Sequence, residues 1–125
     1  MDTHRLARTL AIGRVVLGTS AVLATKLFAT VLAGSEAAEN DVTRITGRLY
    51  GIRELALGLA QLKAIRQGQP LEPYFRLGLL VDSSDAFFTF LGRRALPLRG
   101  QIIGLGIAGG YAALEARALS ARQAG

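Results

Sequence analysis

The chain has 125 residues, of which 50% are hydrophobic and 19% charged, with a formal net charge of +6, a single histidine and no cysteine. A mean hydropathy of +0.34 excludes a disordered chain, and the length is that of one domain. Disulfides, thiolate chemistry and cysteine-held zinc are excluded, and His4 alone builds neither a metal site nor a triad, so no metal and no cofactor is implied. The basic residues stand singly between apolar stretches rather than on one aromatic-studded face. This argues against nucleic acid as a partner and for a positive-inside bias.

Four helix-compatible segments follow one another along the chain, with no strand alternation and no repeat. The first, about 9–33, "TLAIGRVVLGTSAVLATKLFATVLA", contains only Arg14 and Lys26 as charges. The second, about 42–65, "VTRITGRLYGIRELALGLAQLKAI", carries Arg48, Arg53 and Glu54. The third, about 73–92, starts on Pro73, where a helix tolerates proline, and holds Asp82 and Asp85. The fourth, about 100–119, has no charge between Arg99 and Glu115. Each has about the 20 residues that a helix needs to cross a bilayer core.

The connections "GSEAAEND", "RQGQPLE" and "RRALPLR" are short, so neighbouring helices should run antiparallel. The expectation is all-α: a four-transmembrane-helix antiparallel bundle forming one domain over residues 1–125. A soluble bundle needs a polar outer face on every helix, and the first and fourth segments have none to offer. A cleaved signal peptide is disfavoured because the first apolar stretch is too long and contains Lys26. The expected location is therefore a multi-pass position in a bacterial cytoplasmic membrane, with the lipid bilayer as partner. His4, Arg5, Arg8, Lys63, Arg66, Arg76, Arg117 and Arg122 share one side, which places both termini in the cytoplasm; Arg93, Arg94 and Arg99 oppose that bias.

At 100° per residue the charges of the inner segments share faces with small residues. Gly78, Asp82, Asp85 and Thr89 fall on one side of the third segment, with Leu77, Leu80, Phe87, Phe88 and Leu91 on the other. Gly47, Gly51, Glu54, Gly58 and Gln61 line one face of the second, flanked by Tyr50 and Arg53 on one side and Arg48 on the other. Arg14 shares its face with Gly18, Ala21 and Thr25. Charges in a membrane span turn inward and pair. Depth along the helices matches Asp82 with Arg53 and Asp85 with Arg48. Arg14 is displaced towards the cytoplasmic side, where it pairs lower down or reaches the interface, the surplus carboxyl being either protonated or matched by Arg14, and Lys26 snorkels.

At "GRLYGIRELALGL" (residues 47–59), followed by "DSSD" in the third segment, the chain resembles a family of small four-helix membrane proteins of bacteria and fungi. That family looks distantly like the DoxX-type membrane proteins. Its recurrent Gly-x-Arg-acidic run with a following Gly corresponds here to Gly51, Arg53, Glu54 and Gly58, and its third-helix acid to Asp82 or Asp85. Glu54 stands where that acid is usually Asp. The resemblance implies the four-span fold and no particular activity.

The leading functional reading is a buried Arg/Asp/Glu clamp that fixes helix packing in a binding or assembly module. The alternative is a membrane-embedded isomerase or cyclase in which Glu54, Asp82 and Asp85 protonate a lipophilic, terpenoid- or epoxide-like substrate. In that case Arg14, Arg48, Tyr50 and Arg53 are the candidate ligand-binding residues. Ion transport is disfavoured, since one four-helix unit has little room for a water path unless it dimerises, for which the fourth segment offers Gly100, Gly104 and Ala108 as a seam. "GLGIAGG" follows no strand, so it reads as helix packing rather than a nucleotide loop.

Overall fold

The computed structural model describes residues 2–124. Among them the chain forms six α-helices and no strand: α1 (Thr3–Leu23), α2 (Thr25–Ala33), α3 (Ser35–Ala38), α4 (Asp41–Arg66), α5 (Glu72–Leu91) and α6 (Leu98–Ala124). A 3-10 turn at Arg93–Ala95 separates α5 from α6. Six helices thus stand where four are expected. The first segment is divided at Ala24, whose backbone leaves the helical region at φ −116°, ψ 46°, and α3 occupies the first connection. No Pro or Gly marks that break. The Thr25 hydroxyl donates to the carbonyls of Ala21 (2.7 Å) and Val22 (2.9 Å), satisfying groups that the bend would strand.

The long helices begin where their caps lie. The Asp2 side chain accepts the His4 N–H, and Asn40 Oδ1 accepts from Val42 N–H at 2.8 Å. Asp41 opens α4, and Lys63 and Arg66 close it, each complementing the helix dipole. At the far end of α2, Arg99 donates to the carbonyls of Thr30 and Val31, both at 2.8 Å, so α6 caps a helix that sequence alone left open.

Two antiparallel pairs organise the fold. In α1/α4, Gly18 meets Gly51, Ala11 meets Gly58, and Gln61 donates to the Ala7 carbonyl. Two of the three glycines of α4 are needed for closeness: a Cβ on Gly51 or Gly58 would lie 2.8 Å from the carbonyl oxygen of Gly18 or Ala11. In α5/α6, Gly78 faces Glu115 and Thr89 faces Gly104. An apolar core around Leu6, Leu10, Phe75 and Ala118 ties the pairs at one end. The seam expected to serve a homodimer is occupied within the chain. Gly100 abuts the Leu32 backbone, Gly104 the Thr89 methyl, and Ala108 is buried.

Charged side chains are buried and large apolar ones exposed. The largest fully buried side chains are Arg14, Phe75 and Glu115, whereas Leu49, Leu80, Phe88 and Leu98 are 65–70% exposed. Two helices, Thr3–Leu23 and Leu98–Arg122, are long and apolar enough to cross a membrane. Helices α4 and α5 have the length but carry more internal charges, and they are not among these two.

Candidate functional site

The inward faces read from periodicity are the buried ones: Arg14, Gly18, Ala21 and Thr25 in α1/α2, Gly51, Glu54, Gly58 and Gln61 in α4, and Gly78 and Asp82 in α5. They converge on one guanidinium. Arg14 Nη1 donates to Glu54 Oε2 at 2.7 Å and reaches Asp82 Oδ1 at 3.4 Å. Its Nη2 donates to Asp82 Oδ2 and, at 2.8 Å, to Glu115 Oε1. A single side chain thereby joins α1, α4, α5 and α6, using the planar fork that lysine lacks. The side chains of Arg14, Glu54, Asp82 and Glu115 are only 2–6% exposed. The Tyr111 ring lies 5.0 Å from the Arg14 guanidinium carbon. Gly78 makes room, since a Cβ there would collide with the Glu115 carboxylate and lie 2.9 Å from Arg14 Nη2.

A second, more open layer adjoins this one. Arg53 grips Asp85 with both terminal nitrogens, at 3.1 Å from Nη1 to Oδ1, and approaches Glu54 Oε1 at 3.4 Å. Its guanidinium stands 5.0 Å from the Tyr50 ring, which stacks on Phe28. Here exposure rises to 39% for the Arg53 side chain and 26% for Asp85. Glu54 is the hinge between the layers.

The pairing deduced from depth is corrected in every particular. Asp82 belongs to Arg14 rather than Arg53, and Asp85 to Arg53 rather than Arg48. Arg48 lies on the opposite flank of α4 from Arg53, whose guanidinium reaches Asp85 of α5. Arg48 instead lines a separate surface pocket of about 260 Å³ with Lys26 and Arg44, and is not part of the cluster. Lys26 extends outward, as expected, and pairs with Glu39 at 2.7 Å. Glu115, absent from the candidates, is a full member. Its signal was its position seven residues beyond Ala108, on the same inward face.

Within this cluster two guanidiniums meet four carboxyl groups, a formal excess of two negative charges. Glu115 Oε2 and Arg53 Nε are buried without a hydrogen-bond partner among the described residues. Oxygens of Glu54, Asp82 and Asp85 lie within 4.8 Å of one another. Hard oxygen donors at such spacing suit Mg²⁺ or Ca²⁺, but each of the three already has a guanidinium against it.

Compared with protein-family models, curated proteins and solved structures, the chain matches none. Its site therefore speaks through its own geometry.

Beside the cluster lies a half-open cavity of about 620 Å³ between α2/α4 and α5/α6. Its walls are apolar, with Phe28, Leu32, Phe88 and Ile107 among them, and its polar end is formed by Glu54, Asp82, Asp85, Tyr50 and Tyr111. Among the described residues no Lys or Arg side chain lines it. The cavity exists because each helix pair is internally close-packed, while the bend at Ala24 leans α2 towards α6 instead of α5.

Proposed function

We propose that this chain is a four-span membrane protein that binds a lipophilic small molecule in the cavity, with the Arg14 cluster clamping the bundle around it. Four spans, α1/α2, α4, α5 and α6, fit the outward display of large apolar side chains on all of them and the inward burial of Arg, Asp and Glu. Both termini then share one side, assigned to the cytoplasm by the basic residues there. The resemblance to the small four-helix membrane family belongs to the same reading: Gly51, Glu54 and Gly58 of its recurrent run are buried, and Arg53 of that run adjoins the cluster.

The observation that carries the binding role is the cavity's contact with the clamp. An apolar space of about 620 Å³ ending on a few convergent polar groups has the size and character of a small-molecule site, which typically spans roughly 300–1,000 Å³. A clamp serving packing alone would close on itself.

The test is retention of a ligand. Protein purified in mild detergent should release a lipophilic compound on solvent extraction, detected by mass spectrometry. Gly104→Leu with Ile107→Phe, which fills the cavity, should lose it while keeping helix content. Equal retention by the filled variant, or no retained compound in either, removes the proposal. Carbonate-washed membranes test the location: the chain should stay in the pellet.

The carboxyl surplus also favours a second reading, in which a proton held among Glu54, Asp82 and Asp85 is delivered to an alkene or epoxide in the cavity. Glu54→Gln and Asp82→Asn would then abolish turnover of such a compound while the protein remains folded in detergent.

A further inference from the structure

We infer that the molecule bound in the cavity carries a positively charged nitrogen: an amphiphilic amine whose ammonium group faces Asp85 and whose hydrocarbon body lies along Phe28, Phe88 and Ile107. This rests on the cavity being a binding site and goes on to specify what it selects.

The polar groups that reach the cavity are of one sign. Glu54, Asp82 and Asp85 line it, and neither Arg14 nor Arg53 does. A ligand head at that end meets carboxylate oxygens first. An anionic head would be repelled there, and a neutral one would leave the surplus of carboxyl groups over guanidiniums unanswered. An ammonium supplies one positive charge against that surplus.

Two further observations agree. Asp85 is the most exposed acid of the cluster, its side chain 26% accessible against 2–6% for Glu54, Asp82 and Glu115. It is therefore the acid that a ligand reaches without breaking the Arg14 clamp. Finally, Glu115 Oε2 is buried without a partner, as expected where the negative charges outnumber the donors that answer them. A bare metal ion would meet the same carboxylates, but it would leave the long apolar walls beyond them unfilled, where the hydrocarbon body of an amine fits.

The experiment compares decylamine, decanol and decanoate at neutral pH. Binding to the protein in nanodiscs is measured by calorimetry, with empty nanodiscs subtracted. The expected order is amine, then alcohol, then carboxylate, with the amine at least tenfold tighter than the alcohol. Asp85→Asn should erase most of the amine-over-alcohol preference, and Asp85→Glu should keep it. Arg53→Gln should tighten the amine, because it frees Asp85 from its partner; a purely structural ion pair would not give that sign. If the alcohol or the carboxylate binds as tightly as the amine to the unaltered protein, the charge assignment is wrong although the cavity still binds. If none of the three binds above empty nanodiscs, or the cavity-filled variant binds all three equally well, the cavity is not a site at all. The ranking with the unaltered protein decides the matter even if a variant fails to fold.

Discussion

Replacing Arg14 by Gln is the most severe single change that the structure anticipates. Arg14 is the only cation bonded to Asp82 and Glu115 among the described residues, whereas Glu54 keeps Arg53 at 3.4 Å. The substitution thus strands two carboxyl groups that are 6% and 2% exposed, and leaves four helices without their common bond. Removing one partner of a buried ion pair costs about 3–5 kcal/mol. The clamp holds two such orphans, but a carboxyl can escape by taking up a proton, so the loss should fall within that range rather than double it. The unfolding equilibrium would shift by roughly 150- to 4,000-fold, against a total stability of about 5–15 kcal/mol for an ordinary domain. The assay is a titration with sodium dodecyl sulfate in mixed micelles, followed by far-ultraviolet circular dichroism. Arg14→Gln should unfold at a markedly lower fraction of the denaturing detergent. Arg14→Lys, which keeps the charge but not the fork, should lie between. An unchanged midpoint for Arg14→Gln, with unchanged cooperativity, would refute the view that this guanidinium holds the helices together.

The same titration checks the α1/α4 contact. Gly58→Val places atoms against the Ala11 backbone, where a Cβ already meets an oxygen at 2.8 Å, and should cost about 1–3 kcal/mol. Gly106→Ala enters open space and should be neutral or stabilising by up to about 1 kcal/mol. Arg48→Ala should leave the midpoint unchanged and Arg53→Ala should lower it, because only Arg53 bonds to carboxylates of the cluster; equal effects would restore the pairing drawn from depth alone. At the surface, Lys26 holds the Glu39 carboxyl below its ordinary value of 4.5 by hydrogen bonding and charge, with Arg44 adding to the effect. A lowered acid contributes above its unfolded value and loses that contribution as pH falls through the folded one. A carbon-detected titration should show Glu39 below 4.5, moving upward in Lys26→Met. The exposed position of the pair means that overall stability should scarcely respond.

The extents of α4 and α5, and the inward side of the charged helices, were legible in the residues. Glycines and acids repeating every three or four positions in α4 and α5 share a face by helical geometry, and that geometry is local. The inward turn of Arg14 followed from the same rule. Which cation would meet which carboxylate was not legible. Partnership depends on the rotation and spacing of whole helices, set by how closely glycines let backbones approach, and rotations that differ by one flank of α4 exchange Arg48 for Arg53.

Glu115 escaped notice because a charge near the end of an apolar stretch looks like its boundary, and only the packing of α6 against α5 brings it beneath Gly78. The break at Ala24 has no Pro or Gly to announce it, and it is stabilised by contacts that α2 makes with α6 through Arg99 and Gly100. The cavity is a property of four separated stretches of chain at once, so no single stretch carries its signature. The amino-acid order alone determined an all-helical chain with its charges turned inward, because helical periodicity acts within a few residues. Tertiary structure decided the ion pairs, the bend and the empty space beside them, because those depend on distances between helices that periodicity leaves free.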